Sequence, residues 1–317
     1  MKLSDAAVRQ LQESIDRPDP GSRYEVRELL GRGGMGAVYR AFDHVLQRDI
    51  ALKALSWDAD SSSLSARLAG ESQILARLEH PGIVAVHDAG VLEDGRPFYV
   101  MRLVRGVSLD VRASTLGLGD VLRLFLRVCD AVAFAHARGV IHRDLKPSNV
   151  MVGEYGEVLV LDWGVATIIG SRVVAADTEV STQPNEWTGD GAIVGTPGFM
   201  APEAVAAGAT REIDARTDLF SLGVVLDQLL RLRGERPAPP LAAIVARATA
   251  PEPRARYATV EVLAEDVRRW LDGEPVDAYH ENVMEKAWRF YSRNSTLLLL
   301  LATYAVVRVA ILLWRGV

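Results

Sequence analysis

The residues best equipped for chemistry fall in two short clusters. His142-Arg143-Asp144-Leu145-Lys146-Pro147-Ser148-Asn149 puts an acid, two fixed cations and a carboxamide within one loop-sized stretch. Thirteen residues after Asn149 comes Asp162-Trp163-Gly164, delivered by the apolar run Val158 to Leu161. Carboxylate and amide oxygens are hard ligands, so Asp162 and Asn149 together suit Mg²⁺. Upstream, Lys53 follows Ile50-Ala51-Leu52, and a partly buried lysine needs an anion. Glu71, on a stretch with helical spacing, can supply one; an unrelated surface charge is the alternative. Gly31-Arg32-Gly33-Gly34-Met35-Gly36-Ala37-Val38 is a run whose backbone can approach phosphates closely. Taken alone it fits a dinucleotide-binding turn or an ordinary hairpin equally well. A dinucleotide turn wants a helix directly after the last glycine, whereas Val38-Tyr39-Arg40-Ala41 continues as a strand.

The elements that must position these residues change type along the chain. From Tyr24 to about Leu103 short strand-like runs alternate with turns, interrupted by one helical stretch, Leu64 to Glu79. From Ser108 onward helical patterns dominate: Val121 to Arg138, Leu219 to Leu232, Leu241 to Ala250 and Thr259 to Leu271. Sheet first and helices after predicts an α+β fold in two lobes, not an alternating parallel sheet. The chain has 317 residues, is 49% hydrophobic and carries a net charge of −5. Such a mildly acidic balance leaves no electrostatic footprint for nucleic acid. Cys129 is the only cysteine, which excludes an intramolecular disulfide and points to a reducing compartment. No signal-peptide core opens the chain, so the N-terminal mass is expected to be cytoplasmic.

With Ala201-Pro202-Glu203 following in order, the motif set resembles the bacterial, eukaryotic-like serine/threonine protein kinases over about Tyr24 to Leu271. The resemblance implies a bilobal fold: a small antiparallel-sheet lobe with one helix, and a mainly helical large lobe. It implies ATP and Mg²⁺ as cofactors and protein serine or threonine hydroxyls as acceptors. Lys53 would hold the α- and β-phosphates and pair with Glu71. Asp144 would accept or orient the substrate proton, and Lys146 would contact the γ-phosphate. Asn149 and Asp162 would hold Mg²⁺. Leu30, Gly31, Arg32, Gly33, Gly34, Met35 and Gly36 would cover the phosphates. Val38, Ala51 and Met151 would sandwich the adenine, with Met101 behind it and the backbone of Arg102 to Val104 along its edge. Lys146 and Thr196 match the serine/threonine pattern. Asp218 would brace the catalytic loop, and Glu203 would pair with Arg256. Thr178, Ser181, Thr182 and Thr188 are candidate phosphate acceptors, and a dimer is left open. The competing class is a nucleotide-binding pseudokinase scaffold.

Three features depart from that family. Trp163 replaces the usual phenylalanine, and Arg102 stands where an acidic residue is common. Only Arg231 to Pro240 separates two helices where the family places a further one, and Pro237, Pro239 and Pro240 argue against a helix there. Beyond the kinase region, Thr296 to Trp314 is apolar except for Arg308 and nearly spans a hydrocarbon core of about 30 Å. Trp288, Tyr291 and Trp314 flank it as interfacial aromatics would. Lys286, Arg289 and Arg293 precede it and Arg315 follows, which places the kinase side inside. The expected divisions are an N-terminal helix and linker (1–23), the small lobe (24–104), the large lobe (105–273), a juxtamembrane segment (274–295) and a transmembrane helix (296–314).

Overall fold

The computed structural model describes residues 18–33, 36–55, 75, 78–163, 167–168, 196, 198–206, 214–232, 234 and 236–315. The expected N-terminal helix, the four candidate phosphate acceptors and most of 56–77 lie outside these residues. Strands β1 (Tyr24–Gly33), β2 (Gly36–Asp43), β3 (Arg48–Leu55), β4 (Val86–Val91) and β5 (Pro97–Arg102) form one antiparallel sheet in the order β1-β2-β3-β5-β4. Successive side chains of a strand take opposite faces. One face carries Val26, Tyr39, Ile50, Leu52 and Val100 into a closed apolar cluster. The other must therefore carry Val38, Ala51, Lys53 and Met101. The register confirms it, pairing Val38 with Lys53 and Ala51 with Met101.

The rest of the catalytic region is a helical lobe with small sheet additions. Strand β6 (Gly106–Ser108) leads into α1 (Leu109–Ala113) and α2 (Leu118–Ala137). Then follow β7 (Val140–Ile141), a 3₁₀ turn (Pro147–Asn149), β8 (Val150–Gly153), β9 (Val158–Val160) and β10 (Thr167–Ile168). Helices α3 (Pro202–Ala206), α4 (Arg216–Arg231), α5 (Pro239–Ala248) and α6 (Val260–Leu271) complete it. Helix α2 buries Val121, Leu122, Phe125, Val128, Cys129 and Val132, the three- and four-residue spacing of a core-facing stripe. A small sheet, β6-β8-β9, lies beside it and aligns Ser108 with Met151.

Between α4 and α5, no helix occurs among the described residues, as the sequence predicts. One detail is corrected: Pro239 and Pro240 open α5 instead of preceding it. Proline is tolerated in the first helical turn, where its missing N–H has no intrahelical partner to lose.

Beyond residue 273 the chain does not leave the large lobe at once. Val276 is buried, and Ala278 and Tyr279 pack against the main core. The chain therefore stays on the large lobe for several residues more before α7 (Val283–Arg293) and α8 (Ser295–Arg315). Asn282 caps α7: its Oδ1 accepts from Glu285 N at 2.8 Å while Glu285 Oε2 accepts from Asn282 N at 2.9 Å. This reciprocal pair satisfies two otherwise orphaned donors. Among the described residues, no helix is long and apolar enough to cross a membrane; the side chains of Leu297, Leu298, Leu312 and Leu313 in α8 lie outside them.

Gly223 sits where α4 passes α5. A Cβ added there would lie 2.7 Å from Ala248 Cβ and 2.8 Å from Thr249 Cγ2. Gly223→Ala should destabilise the domain by about 1–3 kcal/mol through overpacking, read as a lower thermal midpoint. An unchanged midpoint would contradict the close approach.

Candidate active site

Alternation on β3 sends Lys53 into the cleft between the lobes, where it is almost fully buried. Its Nζ lies 3.0 Å from Asp162 Oδ1 and 5.8 Å from the centre of the Tyr99 ring. Asp162 sits just past β9 with φ 58°, and Arg143 has φ 70°. Left-handed backbone in residues other than glycine persists only where surrounding contacts over-determine it. Burial works against the Asp162 charge, but the Lys53 ammonium beside it, with His142 and Lys146 further off, holds the carboxyl below the usual carboxylate range.

The contacts that over-determine the catalytic loop are visible. Asp218, in the first turn of α4, is fully buried and accepts from His142 N (2.8 Å) and Arg143 N (2.9 Å) and contacts His136 Nε2 (2.8 Å). Burial alone would raise its pKa, yet His136 and these amides keep it below the ordinary range. His142 closes the loop from the other side: its Nδ1 accepts from Asp144 N at 3.3 Å. Its Nε2 is then the protonated nitrogen, 3.0 Å from Leu161 O. The His142 ring packs 4.6 Å from that of Trp163, a buried indole whose Nε1 donates to Val160 O at 3.3 Å. Trp163 thus fills the phenylalanine position and satisfies its own N–H. One set of bonds ties the acid loop to the metal loop.

At the centre, Asp144 is surrounded by donors. Its Oδ2 accepts from Lys146 Nζ (2.8 Å) and Asn149 Nδ2 (3.1 Å). Its Oδ1 accepts from Thr196 N (2.9 Å) and Thr196 Oγ1 (2.8 Å). Lys146 Nζ also reaches Thr196 Oγ1 at 2.6 Å. Asn149 Nδ2 makes a second bond to Asp144 O at 2.8 Å. Both of its bonds use nitrogen, leaving the amide oxygen as the atom to meet a hard cation. Among the described residues no group of three or more His, Cys, Asp or Glu could hold a metal. An Asn–Asp pair nevertheless fits Mg²⁺, which takes few protein ligands and completes its shell with water and phosphate oxygens.

The structure therefore gathers Lys53, Asp162, Asn149, Asp144 and Lys146 at one cleft. Val38, Ala51 and Met101 share the cleft face of the small-lobe sheet, and Met151 lies on β8. Leu30, Gly31 and Arg32 lie along β1 and are exposed, with Gly31 paired to Val38. Gly33 ends β1, and Gly36 opens β2. Gly34, Met35 and Glu71 lie outside the described residues. Arg102 is exposed at the end of β5, with Nη2 3.5 Å from Glu157 Oε1, and Val104 follows it half-buried. Glu203 and Arg256 make the expected pair, doubly bonded at 2.7 Å each. The direct Thr196–Asp144 bonds and the His136–Asp218 bond are functional supports that the residue pattern alone did not expose. His136 precedes His142 by six positions at the end of α2, but sequence spacing says nothing of the α4 residue it meets.

Comparison with known proteins agrees with this geometry. The family described as "Protein kinase domain" matches residues 24–242. The serine/threonine-protein kinase PknD of Chlamydia pneumoniae is 34% identical over 297 residues, covering 80% of this chain and 31% of that protein. PknD of Protochlamydia amoebophila is 36% identical over 244 residues, covering 71% and 24% respectively. The chain thus spans under a third of the length of these relatives. The crystal structure of the Mycobacterium tuberculosis PknI kinase domain superposes with a TM-score of 0.56 at 26% identity, covering 78% of this chain and 96% of that one. With the family match spanning both lobes and the motif residues meeting at one cleft, this chain belongs to the protein kinase family.

Proposed function

We propose that this chain is an active serine/threonine protein kinase, transferring the γ-phosphoryl group of Mg-ATP to protein hydroxyls. The observation that carries this reading is the Asp144 carboxylate, held by Lys146, Asn149 and Thr196, facing a cleft where Lys53 and Asp162 meet at 3.0 Å. Every position needed for catalysis among the described residues holds a competent side chain, which disfavours the pseudokinase scaffold.

The residue roles follow from charge and geometry. Before nucleotide arrives, Lys53 and Asp162 neutralise one another. With nucleotide present, Lys53 would turn to the α- and β-phosphates, and Asp162 and Asn149 would hold Mg²⁺. Bound there, Mg²⁺ would neutralise the charge of the β- and γ-phosphates. Asp144 orients the incoming hydroxyl and takes its proton. Lys146, already beside that carboxylate, meets the charge developing on the transferred group. Such fixed charges act without reorganising during the reaction, which is why positioning and electrostatics supply most of the catalysis in phosphoryl transfer. Val38, Ala51, Met101 and Met151 form the apolar walls for the base, and the backbone of Arg102 to Val104 meets its edge.

We further infer that α8 anchors the chain in a membrane with the kinase on the cytoplasmic side. At about 1.5 Å per residue, its length is close to a hydrocarbon core of about 30 Å. Support comes from the apolar sequence Thr296 to Trp314 and from Leu299, Leu300, Val306 and Val309, all more than half exposed. Arg308 is the one charge between Thr296 and Trp314. Cations concentrated before it favour an inside catalytic domain. On α7, Val283 and Met284 are 83% and 82% exposed.

Incubated with Mg-ATP, the purified chain should acquire phosphoserine or phosphothreonine detectable by mass spectrometry. Asp144→Asn should lower the rate by about 10²- to 10⁴-fold while ATP still binds; ATP binding with no incorporation by the natural chain would favour the scaffold. Chelation of Mg²⁺ should abolish transfer and readdition restore it, whereas persistence in chelator would contradict the Asn149–Asp162 assignment. In membranes, the full chain should resist carbonate extraction, and the double substitution Leu300→Glu with Val306→Glu should release it. Extraction of the natural chain by carbonate would refute the anchor.

A further inference from the structure

Asp266 on α6 is a buried carboxylate, 1% exposed, that the catalytic scheme does not use. Its Oδ2 accepts from the Tyr257 hydroxyl at 2.8 Å. The same carboxylate accepts two consecutive backbone amides, Asp277 N at 2.8 Å and Ala278 N at 3.1 Å. These amides belong to the strap after α6, which also buries Val276 and bonds Glu274 N to Arg269 O at 2.7 Å. A carboxylate without water needs its acceptors filled. Strap and Tyr257 therefore hold each other through one group: displacing either leaves the other's partner undersatisfied.

Tyr257 is fully buried, and burial with the Asp266 bond pushes its pKa far up, so the hydroxyl remains a donor. Its chain neighbour is Arg256, whose side chain is completely buried. All five N–H groups of that guanidinium are engaged. Nε bonds Ala250 O; Nη1 bonds Glu203 Oε1 and Arg216 O; Nη2 bonds Glu203 Oε2 and Pro251 O. A planar fork with every donor committed has no second arrangement of equal energy. Glu203 on α3 is thereby fixed. Seven residues before it, Thr196 is bonded to Asp144. Between them Phe199 O accepts from Ser221 Oγ at 2.8 Å. The segment along which a protein hydroxyl must reach Asp144 is thus tethered at one end to the catalytic carboxylate and at the other to Arg256.

We propose that Asp266 is a positioning residue for protein substrate: docking of the 274–279 strap, through Asp266, Tyr257 and Arg256, sets the position of the Glu203 segment beside Asp144. The strap leads directly into α7 and α8, so a load or a partner acting on the C-terminal helices is felt first at protein substrate and not at nucleotide. This rests on the kinase reading for its activity measurements.

The test compares Asp266→Asn and Tyr257→Phe with the natural full-length chain, using dephosphorylated casein as acceptor. Asparagine presents an N–H to one of the strap amides, donor against donor. Phenylalanine removes only the hydroxyl link and leaves both strap bonds, so it covers the case in which Asp266→Asn fails to fold. Expected in each folded variant is a KM for casein raised about five- to tenfold, with the KM for ATP and the rate of ATP hydrolysis without acceptor within about twofold. Hydrogen exchange at Ala204 N and Val205 N, which both donate to Ala201 O, should accelerate about tenfold or more, while the His142 and Arg143 amides stay protected. Equal loss at casein and ATP, or a lowered thermal midpoint with unchanged casein KM and unchanged exchange at Ala204 and Val205, overturns the proposal. Should the natural chain transfer no phosphate, the kinase reading fails, and the exchange measurement alone still decides whether the strap is coupled to α3.

Discussion

The site depends on a negative charge kept out of water. Asp218 is a carboxylate with no solvent exposure whose acceptors are taken by the amides of His142 and Arg143 and by His136. Leaving such a group short of partners would cost several kcal/mol, so the loop cannot drift from it cheaply. Held from below in this way, Arg143 adopts a left-handed backbone that it would not otherwise favour. The next residue, Asp144, is delivered at a fixed position. Packing of α2 against α4 supplies the apolar wall that makes the desolvation complete. Burial in the large lobe is thus converted into placement of a single oxygen pair at the cleft.

The small lobe solves a different problem with a simpler device. A lysine must be kept from water yet remain charged. Strand alternation alone puts Lys53 opposite the face that buries Ile50 and Leu52, and Asp162 supplies the counter-charge from the other lobe. The lobes meet through this pair, while Ile83 bridges to Val160 behind it. An ion pair spanning two lobes is suited to being opened by a ligand that offers both partners something stronger: phosphates for the cation, magnesium for the anion.

Much of this was legible in the residues. The apolar run before Lys53, the stripe on α2 and the order of motifs each carry their period or spacing openly, so the two lobes and most of the cleft could be read directly. The prolines after α4 were visible too, though Pro239 and Pro240 open a helix instead of breaking one. What the residues concealed were partnerships between distant elements. Nothing near His136 announces Asp218, and nothing in the polar sequence Gly273 to Asp277 announces that the chain remains fastened to Asp266. Buried hydrogen bonds are set by tertiary placement, and one-dimensional spacing has no term for it. Lys53 meets Asp162, more than a hundred positions along the chain, while Glu71 lies outside the described residues.

The central claim is that a cation from the small lobe and oxygen ligands from the large lobe grip one nucleotide. Anomalous diffraction from crystals grown with Mn²⁺ and a non-hydrolysable ATP analogue tests it most directly. The expected map places a manganese peak between Asn149 Oδ1 and Asp162, with Lys53 Nζ within hydrogen-bonding distance of the α- and β-phosphates. A triphosphate lodged elsewhere, or manganese bound away from both oxygens while Lys53 keeps its contact with Asp162, would contradict it.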